Sequence, residues 1–161
     1  MEIDAFRTAM SQFATGVTVI TTRDEQGEPH AMTANAFTSV CLDPPTVLVS
    51  VAHSTHTFGF LEKLGRFGVN ILGQDQEELG AYFALRPEAR KGGVEYSYAD
   101  AADGLAALEN SMVFMGCEVI GSHVYGDHTV YFAEVKEVRQ NNHAVPPLMF
   151  FRSRWYNPAA E

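Results

Sequence analysis

The residues able to do chemistry are few and scattered. His53 and His56 stand as His-x-x-His, and His123 and His128 bracket one short segment. No carboxylate or cysteine lies at a spacing that would complete a zinc or iron set, so no metal is expected. Cys41 and Cys117 form no framework. Cys41 is read as a small buried hydrophobe rather than a reactive thiol. The chain has no Gly-x-Ser-x-Gly, no Gly-x-Gly-x-x-Gly and no Walker sequence, so a nucleophile-elbow hydrolase, a Rossmann domain and a P-loop are all unsupported. What remains is polar without being catalytic. Ser54 and Thr55 precede a predicted helix, where orphan N–H groups and the dipole would welcome an anion. Arg86, Arg90 and Lys91 form the densest basic patch, suited to clamping phosphate. Each also has an ordinary reading, as an N-cap and as a solvated loop.

A second kind of signal lies in residues 31–41, Ala-Met-Thr-Ala-Asn-Ala-Phe-Thr-Ser-Val-Cys. Ala and Asn are depleted in strand interiors, yet this stretch sits between strand-like runs. Taken alone it reads first as a wide turn. The other reading is backbone kept uncovered, so that something flat can lie against it and be recognised through N–H and C=O groups. With the hydroxyl turn and the basic loop, the residues reach as far as a planar, phosphorylated ligand.

The elements that must position these residues follow from periodicity. Phe6, Met10 and Phe13 predict a helix over 4–14, with Asp4 as N-cap. Residues 16–22 and 29–33 read as strands joined by a turn at 24–28. Pro44 and Pro45 force a turn. Residues 46–51 read as a strand buried on both faces. A loop over 52–57 leads to a short helix carrying Phe58, Phe60, Leu61 and Leu64. A strand over 67–72 and a helix over 77–85 follow, then the basic loop and an irregular stretch over 96–104. Residues 111–121 and 128–138 read as long strands around a Gly126-Asp127 hairpin tip. Residues 147–152 make a last strand, and Trp155-Tyr156 closes the pattern. Six or seven strands and about three helices predict a mainly β, mostly antiparallel barrel or sandwich with helices outside.

The chain has 161 residues, one domain's worth, with 46% hydrophobic and 19% charged residues. That is ordinary for a globular protein and enough for a core. The formal net charge of -9 argues against nucleic acid or an anionic membrane as partner. No apolar run is long enough to span a bilayer. The first residues lack the basic and apolar regions of a signal peptide. A reducing cytoplasm is the expected location.

Several short blocks together carry a family likeness. They are Phe13-Ala14-Thr15-Gly16-Val17-Thr18-Val19, then Met32 through Val40, then Leu42-Asp43-Pro44-Pro45. Val69-Asn70-Ile71-Leu72, Phe83-Ala84, Gly126-Asp127-His128-Thr129 and Pro147-Leu148 follow. Ordered over nearly the whole chain, they resemble the flavin reductase-like family, the small reductase components of two-component flavin-dependent monooxygenases. The resemblance implies a single domain over 1–161, a split β-barrel of Greek-key type and a homodimer. It implies bound FMN or FAD, hydride from NADH or NADPH, and delivery of reduced flavin to a separate monooxygenase.

By the same resemblance Thr33, Ala34, Asn35, Ala36 and Phe37 lie along the flavin ring, mostly through backbone. Ser39, Ser54 and Thr55 lie near the ribityl chain and phosphate, Arg90 or Lys91 supplies the cation, and His128 positions the nicotinamide. Cys41 belongs to the same cofactor-binding stretch. Two departures stand out: Ala36 and Cys41 replace serines frequent in the family, each removing a hydroxyl that could touch flavin. Two other readings compete. One is a flavin carrier not itself reduced by NAD(P)H; the other is a heme- or pyridoxamine-phosphate-type split-barrel protein.

Overall fold

A computed structural model describes residues 2–141 and 145–156. Its elements run α1 (Ile3–Ser11), β1 (Thr15–Gly16), β2 (Thr18–Arg23), β3 (Pro29–Ala34), β4 (Phe37–Leu42), β5 (Pro45–Ala52), α2 (His56–Leu64), β6 (Arg66–Ile71) and α3 (Glu77–Ala84). Then come β7 (Tyr98–Asp100), β8 (Ala106–Leu108), β9 (Val113–Tyr125), β10 (His128–Gln140), β11 (Met149–Phe151) and β12 (Arg154–Tyr156). The class is mainly β, as expected.

Seven strands form one antiparallel sheet in the order β3-β2-β6-β9-β10-β5-β4. Its two end strands, β3 and β4, are consecutive in the chain and separated only by Asn35 and Ala36. Extended backbone from Ala34 to Phe37 reaches roughly 11 Å. The sheet must therefore curl until its ends approach at that link. No ladder joins β3 to β4 among the described residues, so both remain edge strands. Asp43–Pro44 is cis in the tight turn from β4 to β5, where the prolines predicted a turn.

The concave face holds Ile20, Val47, Val49, Val51, Phe67, Val69, Cys117, Tyr131 and Ala133, closed by Leu61 of α2. Burial pushes the Cys117 thiol up to about 12. On the other face of β2, Val17, Val19 and Ala31 pack with Leu79 and Phe83 of α3, Leu108 and Leu148. Thus β2 is buried on both sides, which its Thr-Val-Ile-Thr-Thr run allows. β5, expected to be the same, keeps Leu48 and Ser50 only half-buried. Its partner β4 ends the sheet, so less covers it.

Three further expectations change. The stretch 96–104 is not wholly irregular: β7 pairs with β8 as a small hairpin. Long-range bonds that local propensity cannot show hold it. Thr21 Oγ1 donates to Ala106 O at 2.7 Å, and Asn70 Oδ1 accepts from Leu108 N at 2.7 Å. Asn70, fully buried, also donates to Val19 O at 2.9 Å. The helix over 4–14 is shorter, with Glu2 at the N-cap and Asp4 inside the first turn. Its apolar stripe finds no cover among the described residues: Phe6, Met10 and Phe13 are more than half exposed. Cys41 is exposed rather than buried, its Sγ 3.1 Å from Pro44 O, because none of the described residues covers the outer side of β4. No helix among the described residues is long and apolar enough to cross a membrane.

Candidate functional site

The edge of β3 organises the site. It pairs with β2 on one side only, so its other side offers unpaired backbone groups. Two cavities adjoin there, both lined by Thr33 and Ala84. The smaller, about 200 Å³, is mostly apolar and lies among Val17, Ala34, Asn35, Phe150 and Trp155. The larger, about 350 Å³, is polar at one end, where Ser54, Thr55 and His56 of the α2 entry face Arg86, Glu88 and Arg90 of the basic loop. Among the described residues the N–H groups of Asn35, Ala36 and Ser54 find no backbone partner.

Local chemistry explains each wall. Thr55 is the N-cap of α2: its Oγ1 accepts from Phe58 N at 3.3 Å and donates to Ala52 O at 2.8 Å. That hydroxyl is spent on the helix, whereas the Ser54 side chain is exposed and makes no hydrogen bond among the described residues. Thr33 donates to Gly80 O at 2.7 Å and ties β3 to α3. Its neighbours are small, so the strand edge stays uncovered.

Arg90 is also largely occupied. It donates to Ala31 O at 2.8 Å, Leu85 O at 3.1 Å and Phe83 O at 3.4 Å, with its guanidinium 5.1 Å from the Phe83 ring centre. It is a strut that fastens the β3 edge to the end of α3. Lys91, beside it, is exposed and lines neither cavity.

The remaining expected residues lie apart from the cavities. Ala36 is exposed and its carbonyl accepts from Ser50 N at 3.0 Å. Phe37 packs on the concave core. Ser39 and Cys41 stand exposed on β4. His128 sits at the β9–β10 hairpin, where Gly126 takes φ +58° at the first turn position, as a type II′ turn requires. Its Nδ1 lies 2.7 Å from Asp127 Oδ1. The hairpin reaches the site through backbone: Asp127 O accepts from His53 N at 2.9 Å, one residue before Ser54.

Several residues of the site were not among those expected, His30, Glu88, Phe150 and Trp155 among them. His30 shares a face of β3 with Met32, a period-of-two signal legible in principle. Its Nε2 lies 3.0 Å from Thr57 Oγ1, and its ring packs edge-on against Phe60. Burial first, then the Arg90 guanidinium, lowers His30 to about 4, so it stays neutral at ordinary pH. Glu88 pairs with His56 at 3.2 Å across the larger cavity. Trp155 reaches the smaller one only through the β11–β12 hairpin, and nothing local announces that.

Fold and site together define a small β protein with an open strand edge, an apolar slot beside it and a polar end at a helix start. The model of the flavin reductase-like domain matches residues 10–159, and the chain belongs to that family. It is 38% identical to the NADH-dependent flavin reductase StyB of Pseudomonas fluorescens over 159 residues, 97% of this chain and 91% of that one. Among solved structures it is similar to the styrene monooxygenase flavin reductase SMOB from Pseudomonas putida S12. The TM-score is 0.87 at 38% identity, over 96% of this chain and 97% of that one. It is also similar to the NADH:FAD oxidoreductase SgcE6 of Streptomyces globisporus C-1027, solved in complex with NAD and FAD fragments. There the TM-score is 0.83 at 30% identity, covering 97% and 93% of the two chains.

Proposed function

We propose that this protein is an NAD(P)H:flavin oxidoreductase that takes hydride from NADH or NADPH, passes it to FMN or FAD, and supplies the reduced flavin to a partner flavin-dependent monooxygenase. The relation to StyB over 97% of the chain carries the reading. The residues fit a flavin: an apolar slot joins a polar-ended cavity at Thr33 and Ala84, beside unpaired N–H groups at Asn35 and Ala36. When bound, the flavin supplies the redox chemistry, accepting a hydride and holding the electrons until they are handed on.

The chain's own work is binding and alignment. The β3 edge from Thr33 to Asn35 recognises the polar rim of the ring, with Ala36 and Phe37 continuing the surface toward β4. Trp155 and Phe150 keep water from the apolar slot. Ser54 and the start of α2 receive the phosphate end. Arg90 holds the strand edge in place; Lys91, Ser39 and Cys41 stand outside both cavities. His128 positions the nicotinamide from the hairpin. No side-chain acid or base is needed, because alignment and preorganised donors supply the rate.

The assembly is a homodimer of single-domain split barrels of Greek-key type, working in the cytoplasm. Exposed Ile3, Phe6 and Met10 on α1, Phe13 just after it, Val40 and Leu42 on β4, and Val124 and Tyr125 on β9 are the apolar surface that a second copy covers.

Anaerobic mixing of the protein with NADH or NADPH and FMN or FAD tests the activity. Bleaching of the oxidised-flavin absorbance is the expected result. Flavin that co-purifies and is reduced by dithionite, but by neither nucleotide, would establish the carrier reading instead.

A further inference from the structure

We propose that Glu88 is a built-in competitor for the phosphate end of the flavin, setting the protein's preference among flavins and keeping the bound flavin exchangeable. The proposal rests on reading the larger cavity as the flavin site. That cavity has a positive wall and an anion already on it. His56 is the first residue of α2, where the helix N-terminus carries partial positive charge. Glu88 reaches over from the short 3₁₀ turn at Pro87–Ala89 and puts Oε1 3.2 Å from His56 Nε2. Arg90 adds positive charge to the same wall and feels Glu88, but its N–H donors go to backbone carbonyls of β3 and the end of α3, so it forms no ion pair with Glu88. Among the described residues this pair is the loop's polar side-chain contact with α2. A phosphate arriving at Ser54 and His56 meets a carboxylate that has taken its place.

Charge then decides which flavin suffers most. FMN ends in a phosphomonoester carrying close to two negative charges. The two phosphates of FAD carry about one each and are spread along a diester. Riboflavin carries none. Repulsion from Glu88 penalises FMN most, FAD less and riboflavin not at all. Both side chains are more than half exposed, so solvent and salt screen the effect and keep it moderate. A moderate penalty lets a reductase release its flavin instead of retaining it.

Fluorescence titration of the full chain with FMN, FAD and riboflavin, comparing the unmodified protein with Glu88→Gln, is the test. The exchange keeps the side-chain shape and removes the charge. FMN should bind about tenfold tighter, equivalent to ~1.4 kcal/mol. FAD should gain less, and riboflavin should stay within about twofold. The FMN gain should shrink when salt is raised. Equal gains for all three ligands, or weaker FMN binding, would overturn the competitor role while leaving the reductase reading intact if NAD(P)H still reduces flavin. A protein that neither binds nor reduces any flavin would overturn both.

Discussion

Arg90 and His30 show how a residue's type can be legible while its task is not. A basic residue after α3 reads as a phosphate clamp, yet Arg90 spends its guanidinium on Ala31, Phe83 and Leu85 carbonyls. Arg90→Lys keeps the charge but loses the fork. We expect it to cost about 2 kcal/mol in chemical denaturation and to weaken flavin binding with it. A lysine variant of unchanged stability that binds flavin normally would restore the clamp. For His30 the folded value is lowered to about 4 from 6.5. Between those values the unfolded chain binds the proton and the folded chain does not, so stability falls as pH drops from about 6.5 toward 4. His30→Gln should flatten that part of the Tm-against-pH curve. At the hairpin, His128→Ala should raise the KM for NAD(P)H more than the Kd for flavin. Equal losses would remove its assignment to the nicotinamide.

At the scale of elements, the motif Val69-Asn70-Ile71-Leu72 acquires a structural cause. Asn70 is buried in β6 and joins three strands, donating to Val19 of β2 and accepting from Leu108 of β8. Beside it Gly68 leaves no room for a side chain: a Cβ would come within 2.4 Å of Thr21 Oγ1 and 2.6 Å of Phe114. Close approach of β8 to the sheet requires both. Asn70→Ala strands buried backbone groups and should cost about 3 kcal/mol, measured by urea unfolding. Amide exchange should quicken first in β7 and β8. The stretch 31–41, a wide turn on its own evidence, is in fact two edge strands meeting at Asn35-Ala36. Its small residues matter because they leave the β3 edge open beside Thr33.

For the molecule as a whole, the apolar surface of α1 is the unresolved charge on the single chain. A nine-residue helix with no buried side chain has little to hold it in isolation. Covering it with a second copy accounts for both Phe6 and Phe13. Sedimentation should give twice 17.7 kDa, and Phe6→Asp should shift the protein toward monomer with a lower Tm. A stable monomer in the unmodified protein would refute this assembly.

The chain alone determined its β class, most element positions, a hydroxyl cap at Ser54 or Thr55, the Gly126-Asp127 hairpin and the family, because period, turn chemistry and short motifs are local properties. Only the tertiary structure decided that β3 and β4 end the same curled sheet and that β7 and β8 pair. It also placed Trp155 and Phe150 beside Ala34, and set Glu88 against His56. Those outcomes depend on contacts between residues tens of positions apart, which no local pattern encodes. The same holds for Arg90: its neighbours in the chain predict a free cation, and its neighbours in space occupy its N–H donors.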